Sequence, residues 1–317
     1  MQPGFFGNDT ATMRLPAGPL RGAVVFTLVV LNTILCCIPL FALALAKLAV
    51  PVAGWRRLVS RWLTAIAEGW IAANTAILDA TREIRWDTRG IAGLHRHEWY
   101  LLIANHRSWT DILALQAAFN RRIPFLKFFL KQQLIWVPVM GLAWWALDMP
   151  FMKRYSRATL ERHPELRGRD LAVTRRACER FAAIPTSVIN FVEGTRFTPA
   201  KQVASGSPYR HLLAPRPGGI AFVLGAMRGI LHALLDVTLA YPEGAGGFWD
   251  LCCGRVRHVV IEVRTRPIEP WLEAGDYAGD AVFRARGREG LEALWREKDA
   301  RLAVLLGGGS PVEGGTV

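Results

Sequence analysis

Cysteine is scarce in this 317-residue chain. The five present, Cys36, Cys37, Cys178, Cys252 and Cys253, show neither metal-ligand spacing nor a disulfide framework. No cluster of histidines and carboxylates stands at metal-ligand spacing either, which argues against a metal site and against a metal hydrolase or phosphatase. Acidic residues are short: 26 Asp and Glu face 39 Lys and Arg, for a net charge of +13 and a pI near 10.2. That imbalance implies acidic partners, whether nucleic acid, anionic lipid or a phosphorylated ligand. Internal repeats are absent. Formal charge is missing altogether over the 25 residues 22–46.

What fills that gap is Val, Leu, Ile and Ala. As a helix the run would extend roughly 37 Å at about 1.5 Å per residue, beyond a hydrocarbon core of about 30 Å. It also exceeds the ~7–15 apolar residues of a cleavable signal, so a retained membrane anchor is expected despite the small residues Ala42 and Ala44. A second apolar stretch, 62–78, carries only Glu68 as a charge and follows Arg56, Arg57 and Arg61. It reads either as the second helix of an anchoring hairpin or as a core helix. Pro39 and Pro51 allow a bent or re-entrant path as readily as a straight span. Lys47 and the three arginines outnumber Arg14 and Arg21 on the other flank, which places the rest of the chain on the cytoplasmic side, as at a bacterial inner membrane. With 12 Trp and half the residues hydrophobic, the anchor directs the positive charge toward anionic lipid rather than nucleic acid.

Beyond the anchor, apolar runs at 99–104 and 187–192 have the length of buried strands. A helix is expected at 112–119, capped by Thr110 or Asp111, and others at 170–183 and 219–227. Residues 123–130 suit a strand, as do 236–240 and 258–265, whereas 201–217 reads as loop. An amphipathic helix over 280–306 is expected to pack on the domain with a solvated charged face, ahead of a flexible Gly-rich tail. The alternation predicts an α/β fold: a central, mostly parallel or mixed sheet flanked by helices, with an N-terminal helical membrane anchor. The divisions expected are anchoring helices at 1–85, the α/β domain at 86–270, and the C-terminal helix and tail at 271–317.

Chemistry is expected at strand ends. His106 follows the 99–104 run directly, and Asp111 falls in the first turn of the next helix, so a tight turn can bring carboxylate to imidazole. Asp111 would hold one ring nitrogen as N–H and leave the other to take a proton. On these residues alone, a capping aspartate and a strand-end histidine are an equal alternative. Ser108 has no independent mark of a nucleophile. The second buried run ends in Glu193, Gly194, Thr195 and Arg196, a set able to hydrogen-bond a phosphate and a neighbouring alcohol. Lys153 and Arg154 add two cations after an apolar stretch, with membrane-surface charge as their alternative role.

In this order the elements resemble the glycerolipid acyltransferase family. Asn105, His106, Ser108 and Asp111 match its Asn-His-x-Ser-x-x-Asp block, residues 141–154 resemble its second, and Glu193 to Arg196 its third. The fourth is matched in part, because Pro242 follows the apolar strand instead of opening it, and Arg216 stands where a lysine is commoner. The likeness covers about residues 86–270. Residues 236–242 and 130–133 look more like the lysocardiolipin and lysophosphatidylinositol branch and its bacterial relatives. The resemblance implies an enzyme that moves a fatty acyl group from acyl-CoA or acyl-ACP to the free hydroxyl of a lysophospholipid, 1-acylglycerol-3-phosphate first among them. It implies His106 as base with Asp111, and an acceptor-phosphate site of Glu193, Gly194, Thr195 and Arg196 joined by Arg154, Lys153 and Arg216. It implies backbone N–H groups near Gly194 for the oxyanion, and no cofactor beyond the thioester co-substrate. Partners would be the lysophospholipid, the thioester, a membrane and an acyl carrier protein, with no nucleic acid. A catalytically silent membrane adaptor is the reading from another class.

Overall fold

The uncharged run folds as the first of two long helices packed antiparallel. The structure, a computed structural model, describes residues 18–81, 84–152, 162, 169–182, 184–268 and 280–307. Helix α1 (Pro19–Ala49) opens on a proline, whose fixed φ suits a first turn, and stops ahead of Pro51. Helix α2 (Ala53–Thr81) starts well before the apolar stretch and takes in Arg56, Arg57 and Arg61. Polar groups stitch the pair: Asn32 donates to the Asn74 side chain (2.8 Å), and the Trp70 indole donates to the Thr33 hydroxyl (3.0 Å). Helix α2 makes contacts of two kinds. It pairs with α1, and it also packs on the body, where Glu68 accepts from Arg96 at 2.8 Å.

The body follows as β1 (Arg85–Arg89), β2 (Tyr100–Ala104), α3 (Thr110–Phe119), β3 (Leu126–Phe128), β4 (Leu130–Lys131), a 3-10 turn (Gln132–Trp136), α4 (Met140–Ala146) and β5 (Phe151–Met152). It continues with α5 (Arg169–Ala182), β6 (Ser187–Phe191), α6 (Pro199–Ser205), α7 (Gly218–Ala226), β7 (Ala233–Ala240), α8 (Phe248–Cys252), β8 (His258–Arg266) and α9 (Ala281–Leu306). Six strands form one sheet in the order β1-β8-β7-β2-β6-β3, with every pair parallel except β7 and β8; β4 and β5 pair separately. The apolar run at 99–104 is the buried central strand, as its composition demands.

One face of the sheet is covered by α3 and α8 with parts of α1 and α2, through Leu115, Phe119, Leu251, Val25 and Leu78. The other is covered by α5, α7 and α9, through Phe181, Val223, Leu291, Trp295 and Leu302. A third core joins Leu40, Val59 and Leu63 of the helical pair to Ala143, Leu147 and Met149. Helix α9 keeps the expected arrangement, capped by Asp280, whose carboxylate accepts from the backbone N–H of Val282 (2.9 Å) and Phe283 (3.1 Å).

Several elements differ from expectation, and the stretch expected as one strand at 123–130 is split into β3 and β4, which lie in separate sheets. The stretch expected to be loop from 201 begins inside α6, because Thr198 accepts from Lys201 N (3.2 Å), Pro199 opens the first turn and Gly206 closes it in the left-handed region. Strand β1 was not anticipated, since Arg85, Trp86, Asp87, Thr88 and Arg89 form no apolar run. It sits at the sheet edge and draws its order from pairing with β8.

Candidate active site

Strand register brings the two motifs together. Ala104 of β2 lies opposite Phe191 of β6 on one side and Val237 of β7 on the other, so residues 105–111 and 193–196 leave the sheet side by side, next to the last residues of β7 and Tyr241 beyond them. Asn105 secures the exit: its buried amide donates to Leu239 O (2.9 Å) and accepts from Leu239 N (2.8 Å). His106 comes next, its ring stacked on Phe191 with centroids 4.1 Å apart and its side chain 17 % exposed.

Asp111 is fully buried. One oxygen, Oδ2, stands 2.7 Å from His106 Nδ1 and accepts from the backbone N–H of Arg107 (2.6 Å) and Ser108 (2.9 Å). The other, Oδ1, accepts from the Tyr241 hydroxyl at 2.5 Å. Neither Thr110 nor Asp111 caps α3 as expected. Trp109 occupies the cap position without a side-chain bond, and the Asp111 carboxylate folds back from inside the first turn. The consequence is chemical: with Nδ1 donating to Asp111, Nε2 carries the lone pair. Ser108 is no nucleophile in this arrangement, because its hydroxyl donates to Gly246 O (2.5 Å) and accepts from Thr110 N (3.2 Å).

Glu193 is buried with both oxygens in use. Oε1 accepts from His106 N (2.9 Å) and Oε2 from Leu213 N (2.8 Å), so the carboxylate ties two strand exits to the 210–213 loop instead of facing a ligand. Burial pushes its carboxyl up to about 7 against the pull of those N–H groups and Arg107. Gly194 has φ of 70°, a left-handed conformation, and a Cβ there would stand 3.4 Å from Arg216 Cδ. Its N–H donates to Phe191 O (2.9 Å). Behind the loop, α9 supplies Trp295, whose indole donates to Leu213 O (3.0 Å), and Asp299, which accepts from Arg210 N (2.9 Å) and His211 N (2.7 Å).

Cations line the exit. Arg196 lies 4.9 Å over the Trp109 ring, and Lys201 donates to the Thr195 hydroxyl (2.8 Å) and to Arg196 O (3.0 Å). The backbone N–H of Arg216 donates to Val192 O (2.8 Å), which places its side chain against Gly194. Thus the fold gathers His106, Asp111, Glu193, Gly194, Thr195, Arg196 and Arg216; Lys153 and Arg154 lie outside the described residues. Sequence reasoning missed Tyr241, Phe191, Arg107 and Lys201. Tyr241 stands beside Pro242 in the partly matched fourth block, yet nothing local marks it as a partner for a residue 130 positions earlier.

A part-exposed imidazole with its lone pair on Nε2, on the segment that carries Arg107 and meets that of Arg196, can deprotonate a hydroxyl on an anionic molecule. The Acyltransferase family model matches residues 85–240. The chain is 27 % identical over 216 residues to 1-acyl-sn-glycerol-3-phosphate acyltransferase gamma of Mus musculus, covering 64 % of this chain and 52 % of that protein. It is 27 % identical over 214 residues to the delta form of Homo sapiens, covering 63 % and 51 %. The chain therefore spans about half the length of these curated relatives. In fold it resembles the crystal structure of the 1-acyl-sn-glycerophosphate (LPA) acyltransferase PlsC from Thermotoga maritima, with a TM-score of 0.51 at 13 % identity over 89 % of this chain and 97 % of that one. In its matched blocks, its paired histidine and aspartate and its fold, the chain is similar to the acyltransferase family.

Proposed function

We propose that the protein transfers a fatty acyl group from a coenzyme A or acyl carrier protein thioester to the free hydroxyl of a lysophospholipid, 1-acylglycerol-3-phosphate being the favoured acceptor. The observation that carries the reading is His106, held through Nδ1 by a buried Asp111 at 2.7 Å, with no hydrogen-bond partner on Nε2 among the described residues. His106 Nε2 takes the acceptor's hydroxyl proton as the oxygen attacks the thioester carbonyl. The tetrahedral intermediate collapses, the C–S bond breaks, and the thiolate leaves with the proton returned by His106. Both substrates held together need no acyl-enzyme, since proximity supplies much of the acceleration. Arg196 and Arg216 hold the acceptor phosphate, with Thr195 and Lys201 beside them, and Lys153 and Arg154 extend that site. The names of the related gamma and delta proteins support this acceptor.

The reaction takes place at a membrane surface. Apolar side chains such as Leu35 (65 %) and Leu45 (67 %) on α1, and Trp136 (83 %) and Leu142 (57 %) near α4, are exposed beside the exposed Arg56, Arg57 and Arg61. Helix α1 is tied to the body at both ends: Gly18 N donates to Cys253 O (2.9 Å), and Lys47 pairs with Asp148 (2.6 Å). A helix so tied lies along one leaflet instead of crossing it, with Arg56, Arg57 and Arg61 of α2 among the lipid phosphates on the cytoplasmic side.

The test is to incubate purified protein with oleoyl-CoA, or oleoyl-ACP, and a panel of lysolipids, reading products by mass spectrometry. Acylation of 1-oleoylglycerol-3-phosphate ahead of the others is the expected result. Product from none of them, with either donor, would favour a silent adaptor.

A further inference from the structure

Three half-buried arginines among the described residues have carboxylate partners: Arg89 with Asp87, Arg266 with Glu297, Arg301 with Glu262. Arg107 breaks the pattern. Its backbone N–H is fixed on Asp111, and its guanidinium lies 4.7 Å over the Phe197 ring, but that guanidinium makes no hydrogen bond or ion pair among the described residues. The nearest acids, Glu193 and Asp111, reach it only through space, their oxygens being engaged by Leu213, His106, Ser108 and Tyr241. A guanidinium stacked on a ring keeps its N–H edge available and already oriented, which is the state suited to a planar or tetrahedral oxyanion.

Its position is equally specific. Phe197 N donates to His106 O (2.7 Å), so the segment carrying Phe197 runs against the segment carrying His106. Arginines are exchanged across that seam: Arg107 reaches Phe197, and Arg196 reaches back to Trp109. In a 1-acylglycerol-3-phosphate the phosphate hangs from the carbon adjacent to the one bearing the free hydroxyl. With that hydroxyl at His106, the phosphate has to be met by immediate neighbours of His106, and the crossed arginines are those neighbours.

We propose that Arg107 is a ligand of the acceptor's phosphate, opposite Arg196, and so makes the site select phosphorylated over neutral acceptors. The inference rests on the acyl-transfer reading of the same site. A purely electrostatic role, balancing Glu193 and Asp111, is the competing account, and it would affect every acceptor alike.

The experiment compares full-length wild type, Arg107→Gln and Arg107→Lys with saturating oleoyl-CoA, on 1-oleoylglycerol-3-phosphate and on monooleoylglycerol. In the Gln variant the ratio of kcat/KM for the phosphorylated acceptor over the neutral one is expected to fall roughly 30-fold or more, mainly through KM. Lys, which keeps the charge and loses the fork, should recover part of that ratio. An unchanged ratio overturns the proposal, whether both rates fall together or neither falls. Equilibrium binding of radiolabelled 1-oleoylglycerol-3-phosphate separates this from the reading it rests on. Binding weakened by the same factor in Arg107→Gln, even if wild type forms no product, supports the phosphate ligand; equal binding by both proteins rejects it.

Discussion

At the scale of single residues, the site depends on how completely Asp111 is satisfied. Four donors converge on a carboxylate with no exposure, and each fixes one direction of the imidazole's partner. Tyr241, itself buried with its phenol pushed well above the ordinary range, supplies the donor that comes from farthest along the chain. Tyr241→Phe leaves Oδ1 without a donor, so a stability loss of about 1–3 kcal/mol is expected in chemical denaturation. Transfer should slow roughly tenfold in kcat, a barrier increase of about 1.4 kcal/mol, with KM little changed because Tyr241 lies beneath the dyad and away from the acceptor. Glu193 gives a pH signature. Its carboxyl is raised from 4.5 to about 7, so the fold favours the neutral form. The stability this group contributes is complete below about pH 4.5 and is lost as pH rises through about 7, on the order of 3 kcal/mol in all. Melting curves from pH 5 to 8 should show that decline in the wild type and its disappearance in Glu193→Gln.

Elements place these residues, and elements differ in how plainly the chain announces them. Strands β2 and β6 were readable because continuous apolar runs of strand length have few alternatives to a central sheet position, and once they are adjacent His106 and Glu193 meet by register. The dyad and the residues 193–196 were legible for the same reason. Strand β1 was not, since its polar residues owe their order to an edge partner. Arg107 and Tyr241 were missed because stacking on Phe197 and a hydrogen bond across 130 residues leave no local pattern. The C-terminal helix was legible as amphipathic, but its part behind the site was hidden in Lys298, a lysine on an otherwise apolar face. It is fully buried, pairs with Asp236 at 2.5 Å and donates to Val237 O (2.5 Å), one strand residue pair short of Asn105's anchor at Leu239. Lys298→Met leaves Asp236 with only Arg266 nearby, and a loss of about 3 kcal/mol in urea unfolding is expected. Lys298→Met combined with Asp236→Leu should recover most of it.

On the scale of the whole molecule, the exposed apolar surface of α1 and the 136–145 segment stands out against a chain of net charge +13. Together they suit the proposed seating of the body on an anionic bilayer, with the candidate site at the ends of β2, β6 and β7. Trp136→Ser with Leu142→Ser removes two side chains that touch little of the protein, so melting should be unaffected while partition onto phosphatidylglycerol vesicles falls at least tenfold in a flotation assay. Partition equal to wild type would place the lipid surface elsewhere. The proposed chemistry rests on one nitrogen. Measured on 1-oleoylglycerol-3-phosphate and oleoyl-CoA, His106→Ala should lower the transfer rate by ~10²–10⁴ with an unaltered melting temperature. A folded His106→Ala protein that transfers acyl groups at the wild-type rate would contradict the account.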